Sequence, residues 1–158
     1  MNFREDGRRT KDERENLKLS TGSYSLDSGV LIEMLLGTEA GQVISESLLS
    51  DSPIIAYTCH FNLSEVEYIL CRKLGRELAR SKVDSFVRSN YVILTDVERL
   101  YPTAAEIKCE RAIALGDCYT LANAKVTGST ALFLFREDDL DKELKRKPLD
   151  IRIEFISE

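Results

Sequence analysis

Residues 24–35 read Tyr-Ser-Leu-Asp-Ser-Gly-Val-Leu-Ile-Glu-Met-Leu, YSLDSGVLIEML. The stretch is almost wholly apolar, yet a carboxylate, Asp27, stands in its middle. Aspartate is a poor strand residue and a poor helix-interior residue. Its place is the handover from a short strand, 24–27, to a helix from about Ser28 to Leu36 that stops at Gly37. A buried carboxylate without a partner is expensive, so Asp27 needs a chemical reason to be there.

Moving outward from this unit, the pattern repeats. Thr38 caps a second helix to about Leu49, and "SPIIAYT" reads as a buried strand after a proline. "NLSEVEYILCRKLG" has apolar residues at helical spacing (Leu63, Val66, Ile69, Leu70, Leu74) and ends near Gly75. "RELARSKVDSFVR" is a further helix and "YVILT" a third strand. "DVERLYPTAAEIKCERAI" is helical with an irregularity expected at Pro102. "GDCYTLANAKVTG" is a helix closed by Gly128, "TALFLF" a strand, "REDDLDKELKR" a polar helix and "DIRIEFI" a last strand. Strands separated by helices predict an α/β domain, a mainly parallel sheet with helices on both faces.

The chain has 158 residues, enough for one core. Hydrophobic residues make up 43% and charged residues 31%, ordinary for a globular protein in water. No run reaches the roughly 18–20 apolar residues of a membrane helix, and the polar N-terminus lacks a secretory h-region. A cytoplasmic protein without membrane contact is expected. The net charge of −5 argues against sequence-independent duplex binding through a basic surface. Bound cations can still reverse the sign locally. Residues 1–23 carry six Lys/Arg and five Asp/Glu with few large apolar residues, and predict a polar segment (a mobile arm, a partner-binding tail or an extended start) ahead of a domain over 24–158. The four cysteines form no C-x-x-C pair, and the lone His60 is not spaced with them as a zinc site. They read as buried, reduced thiols.

In an open α/β sheet, ligands gather at the carboxyl ends of the strands. Four acidic positions fall there: Asp27 closes the first strand, Glu65 opens the helix after the second, Asp117 opens a late helix, and Glu137, Asp138 and Asp139 follow "TALFLF". Taken singly, an acid in a first helical turn can simply favour the helix dipole, and a charge run is usually a solvated face. Taken together, several carboxylates in one pocket repel one another, and a divalent cation relieves this. Hard oxygen donors without a Cys or His cluster favour Mg²⁺ or Mn²⁺ over zinc. Such a centre can activate a water and steady the leaving oxygen of a phosphodiester.

The four motifs, "YSLDSGVLIEMLLGT", "FNLSEVEYILCRKLG", "IALGDCYTLANAK" and "ALFLFREDDL", occur in the order and spacing of the PIN-domain nucleases, over about residues 24–155. The sequence resembles in particular the VapC-type toxins of archaea and bacteria. The resemblance implies a three-layer α/β/α PIN-like domain with about five parallel strands. It also implies a Mg²⁺/Mn²⁺-dependent endoribonuclease acting on RNA, a homodimer, and inhibition by a small VapB-like antitoxin. Carried onto this chain, it makes Asp27, Glu65 and Asp117 metal-centred carboxylates. Glu137 aligns best as the fourth acid, Asp139 matches a second acid two residues on, and Asp138 is least favoured. Ser28 and Arg136 are candidate supporting or substrate-contacting residues.

Three departures stand out. Gly29 holds a place where the family often has a small polar residue, Phe135-Arg136 replaces a common Thr, and Ala114 replaces a capping Ser or Thr. Those at Gly29 and Phe135 raise a second reading, a PIN-like binding module with weakened catalysis; a third keeps the nuclease but gives it a job in RNA processing, or on structured DNA, rather than as a toxin. For backbone contacts, Arg72, Arg76 and Arg80 would form one stripe if the helix ran through Gly75. Helices 28–49 and 62–87 are plausible walls for the antitoxin, although the spacing of Leu31, Met34 and Leu35 suits plain core or dimer packing better.

Overall fold

A computed structural model describes residues 11–157. Five strands, β1 (Gly22–Leu26), β2 (Ile54–Cys59), β3 (Ile93–Thr95), β4 (Thr130–Phe135) and β5 (Ile153–Ser157), form one sheet in the order β3-β2-β1-β4-β5. Every pairing is parallel. Eight helices accompany it: α1 (Lys11–Asn16), α2 (Ser28–Leu36), α3 (Glu39–Leu49), α4 (His60–Leu74), α5 (Arg76–Ser89), α6 (Val97–Glu110), α7 (Leu115–Thr127) and α8 (Asp138–Arg146).

The sheet is buried on both faces, as a parallel sheet requires. On one face, Tyr24, Leu26, Ala56 and Leu132 meet Val30, Leu31, Ile44, Val66, Leu70 and Val83 of α2–α5. On the other, Cys59, Ala131 and Phe133 meet Leu100, Ala104, Leu121, Ala122 and Leu140 of α6–α8. This is the expected three-layer α/β/α arrangement. Strand order reverses between β1 and β4, so the carboxyl ends of these two central strands define the switch point where such sheets bind ligands. Asp27 N–H donates to Leu132 O at 3.0 Å, fixing the end of β1 against β4.

Close approach between α2 and α3 depends on Gly41. A Cβ there would lie 2.0 Å from the Glu33 carbonyl oxygen, which no packing adjustment can absorb. Three boundaries differ from the sequence reading. β1 begins at Gly22, α1 and a buried Leu17 precede it, and Leu19 packs on the core, so ordered structure reaches back into the expected arm. Residues 1–10 of that arm lie outside the described residues. α6 continues through Pro102 and ends at Glu110, where Arg111 turns extended. β5 begins at Ile153. As the sequence reading has it, one helix ends at Gly75, whose φ of 88° lies in the region other residues avoid, so the arginine stripe, which needed a helix running through that glycine, does not form. Arg72 therefore stays on α4, 5.0 Å above the Tyr68 ring, while Arg80 on α5 pairs with Glu67 at 2.8 Å.

Arg111 ties the far end of the molecule together. It is 5% exposed, and its guanidinium donates to Glu143 O at 3.1 Å, Pro148 O at 3.3 Å and Lys147 O, all at the end of α8. A planar fork spans several carbonyls that an ammonium cannot reach together. Arg111→Met should cost about 2–4 kcal/mol of stability in chemical denaturation, with Arg111→Lys recovering only part. Full stability in the lysine variant would contradict this role.

Candidate metal centre

Asp27 is the N-cap of α2. Its Oδ2 accepts from Gly29 N–H at 3.1 Å and its Oδ1 accepts from Thr120 Oγ at 3.0 Å. The capping answers half of the question its position raises: a β-region residue whose carboxylate satisfies an orphan donor suits a strand-to-helix handover. It does not remove the cost of burial. Desolvation, opposed by these hydrogen bonds and reinforced by the Glu65 charge, holds the Asp27 carboxyl above its ordinary pKa.

Asp117 stands at the third position of α7, where the Ala114 backbone donates to its carboxyl and so works against the rise in its pKa, while the helix has no side-chain cap. Its pKa is pushed up to about 7, first by desolvation, then by the charges of Asp27, Glu137 and Glu65. Glu65, on α4, reaches over the start of α7: a Cβ on Gly116 would lie 2.7 Å from Glu65 Oε2. Glycine at 116 is thus the space that Glu65 occupies. Glu137 is the N-cap of α8, and no side-chain cap bond engages it.

Asp27, Asp117 and Glu137 line one pocket of about 190 Å³ at the β1/β4 switch point, with Gly29, Leu134 and Phe135. Asp138 and Asp139 follow in the first turn of α8, exposed and away from that lining. Of the candidates for a fourth acid, the fold brings Glu137 to the pocket and leaves Asp139 in solvent. Ser28 is buried beneath it, bonded to Asn62. Arg136 is turned aside: it pairs with Asp141 at 2.9 Å and stacks 4.5 Å from the Phe155 ring.

The donors fit Mg²⁺ or Mn²⁺ by type: carboxylate oxygens whose mutual repulsion a cation would relieve. Among the described residues, no three Asp, Glu, His or Cys side chains converge closely enough to hold an ion as they stand. The acids ring the pocket, and gripping one ion asks their side chains to turn inward. Thiol chemistry has no footing. All four cysteines are free; burial raises both Cys59 and Cys118, the latter to about 11. Against expectation, Cys109 is exposed and Cys71 only half-buried.

Three residues at the site escaped the sequence reading. Asn62, 1% exposed on α4, donates through Nδ2 to Ser28 Oγ, Gly116 O and Thr120 Oγ at 3.2, 3.3 and 3.1 Å. Thr120 is equally buried, and Gly116 clears the space described above. The available signal was their offset: Asn62 precedes Glu65 by three residues and Thr120 follows Asp117 by three, so each shares a helix face with an acid.

Because the Asp117 carboxyl titrates higher folded than unfolded, its charge opposes folding. The cost is absent below about pH 4, grows between the ordinary carboxylate pKa and about 7, and is complete above. With chelator present, Asp117→Asn should stabilise the protein at pH 8 by on the order of 2 kcal/mol, roughly 4–8 °C in melting temperature. The gain should vanish near pH 4. An unchanged or lower melting point at pH 8 would contradict the electrostatics described.

The PIN domain model matches residues 24–146. No curated protein matches the chain significantly. Among solved structures, a chain of VapBC2 from Rickettsia felis, crystallised bound to a DNA fragment from their promoter, is similar with a TM-score of 0.57. Identity is 16%, over 84% of this chain and 98% of that one. VapC20 of Mycobacterium tuberculosis, described as a Sarcin-Ricin loop cleaving toxin, is similar with a TM-score of 0.58. Identity is 18%, over 76% of this chain and 93% of that one. At such identities the likeness speaks for the fold, and the family match spans most of the sequence: this chain belongs to the PIN domain family.

Proposed function

We propose that the protein is a Mg²⁺/Mn²⁺-dependent endoribonuclease that hydrolyses RNA phosphodiester bonds, acting as the toxin of a type II toxin–antitoxin pair. One observation carries the reading: Asp27, Asp117 and Glu137 line a single pocket at the sheet's switch point, with Glu65 close enough to raise the pKa of both aspartates. Asp27, Glu65, Asp117 and Glu137 would hold the cation. When bound, it would supply an activated water and charge stabilisation at the phosphate. The chain's own residues do the rest. Gly29 N–H and Thr120 orient Asp27, the Ala114 backbone orients Asp117, and the missing Cβ at Gly116 admits Glu65. Neither a thiol nor an imidazole is needed as nucleophile.

Toxin standing draws on the likeness to VapC20 and VapBC2. It brings with it a small VapB-like antitoxin, a homodimer and a cytoplasmic site of action. Met34 and Leu35 line an apolar recess of about 110 Å³ with Leu48, Leu49, Phe86 and Tyr91, a fitting seat for an apolar antitoxin side chain. Leu31, by contrast, is fully buried core. Among the described residues, no helix is long and apolar enough to cross a membrane. The earlier arginine stripe is replaced by a groove between α4 and α5 where Arg76, Arg80 and Arg88 alternate with Glu67, Glu77 and Asp84. Its mixed charge makes it a weak candidate for the RNA backbone.

A second reading, a PIN-like binding module without catalysis, is favoured by the failure of any three ligands to converge among the described residues. One experiment separates the two. Purified protein with Mn²⁺ or Mg²⁺ should cleave a structured RNA, and Asp27→Asn should lower the rate by at least about a hundredfold. Equal cleavage by the variant would remove Asp27 from the site. No cleavage by the wild type, together with no saturable Mn²⁺ binding in calorimetry, would establish the module.

A further inference from the structure

Asp27 is not held by its own helix alone. A line of hydrogen bonds reaches it from the end of the neighbouring strand β2, through α4 and α7. Cys59 Sγ, at the end of β2, donates to Asn62 Oδ1 at 3.1 Å. Asn62 Nδ2 faces three acceptors, Ser28 Oγ, Gly116 O and Thr120 Oγ, which fixes the orientation of the amide. Thr120 Oγ in turn lies 3.0 Å from Asp27 Oδ1.

The Thr120 hydroxyl has one proton and two acceptors in range, Asp27 Oδ1 at 3.0 Å and the carbonyl of Gly116, one turn back, at 3.2 Å. The second is the ordinary destination for a helical threonine. Here Asn62 competes for that carbonyl and also donates to the threonine oxygen. Both contacts direct the Thr120 proton outward to the carboxylate. Ser25 Oγ donates to Thr120 O at 2.9 Å, and Phe61 stacks on Tyr119 with ring centroids 4.3 Å apart, so the α4–α7 contact that aligns the two donors is packed on either side.

We propose that Asn62 and Thr120 are positioning residues for the metal centre: an amide-to-hydroxyl relay that locks the Asp27 carboxylate with its remaining lone pairs facing the pocket. The inference rests on the reading of Asp27 as a cation ligand. With Oδ2 on Gly29 N–H and Oδ1 on Thr120, both oxygens are fixed, and each keeps a lone pair for a cation. Removing one anchor frees the carboxylate to swing, and loss of such an outer partner typically weakens metal affinity about 10- to 100-fold.

The test is Mn²⁺ binding to the full chain by calorimetry, with melting in EDTA as the structural control. Thr120→Val keeps the shape and deletes the hydroxyl; Thr120→Ala carries the test if the valine variant does not fold; Thr120→Ser restores the donor. The relay predicts at least about tenfold weaker Mn²⁺ binding for the valine variant, with serine within about twofold of wild type. The EDTA melting temperature of the valine variant should stay within a few degrees. Valine binding Mn²⁺ as tightly as wild type, or serine failing to rescue, overturns the relay and leaves the metal centre standing. A collapse in melting temperature matching the loss of binding overturns it too, since the role is then only structural. Wild-type protein that binds no Mn²⁺ overturns the metal centre itself.

Discussion

Repulsion among carboxylates is the constraint on which the rest of this molecule depends. Asp27, Glu65, Asp117 and Glu137 come from four separate segments, and the pocket lining among the described residues holds no Lys or Arg to offset their charge. Desolvation is the larger influence and the charges of Asp27, Glu137 and Glu65 add to it, so the Asp117 carboxyl is pushed up to about 7. Sites of this kind oppose folding and must be held by structure elsewhere. Two apolar layers do the holding. β1 and β4 lie at the centre of the sheet, covered on both faces, so the backbone that presents Asp27 and Glu137 cannot retreat from the pocket.

Fine positioning falls to small residues and neutral polar groups. Gly116 leaves room for Glu65, Gly29 N–H holds Asp27, and Gly29 itself is pressed against Leu134, 3.3 Å from where a Cβ would stand. A side chain at 29 would be tight against Leu134, and on the other side of the carboxylate Thr120 supplies a polar contact. Phe135 ends β4 exposed at the pocket rim, and Arg136 is drawn off to Asp141 and Phe155. Polar support for Asp27 comes instead from the buried α4–α7 contact.

Much of the fold was legible in the sequence because local signals agreed with the global arrangement. Apolar runs marked β1, β2 and β4, Gly37 and Gly128 closed their helices in left-handed conformation, and the acids stood where parallel strands end. The misses were of two kinds. Where one residue's conformation decided the outcome, spacing set only a condition: the arginine stripe needed a helix through Gly75, and Gly75 at φ 88° ends it. The resemblance favoured Glu137 over Asp139 without excluding the latter, and the cap position of Glu137 keeps it at the strand end, lining the pocket, while Asp139 does not line it. The second kind concerns distance along the chain. Asn62 and Thr120 are 58 residues apart, and Thr120 and Asp27 are 93 apart, so no local pattern announces their contact. An asparagine and a threonine on mostly apolar helix faces are all the sequence shows of it.

The claim that these acids form one cation site is tested most directly by crystals grown with Mn²⁺ and measured for its anomalous scattering. The account predicts a peak within coordination distance, about 2.0–2.3 Å, of carboxylate oxygens from Asp27 and Asp117, with Glu65 or Glu137 completing the set. An Mn²⁺ peak bound instead by Asp138 or Asp139, or a fully occupied lattice with no peak in the pocket, would contradict it.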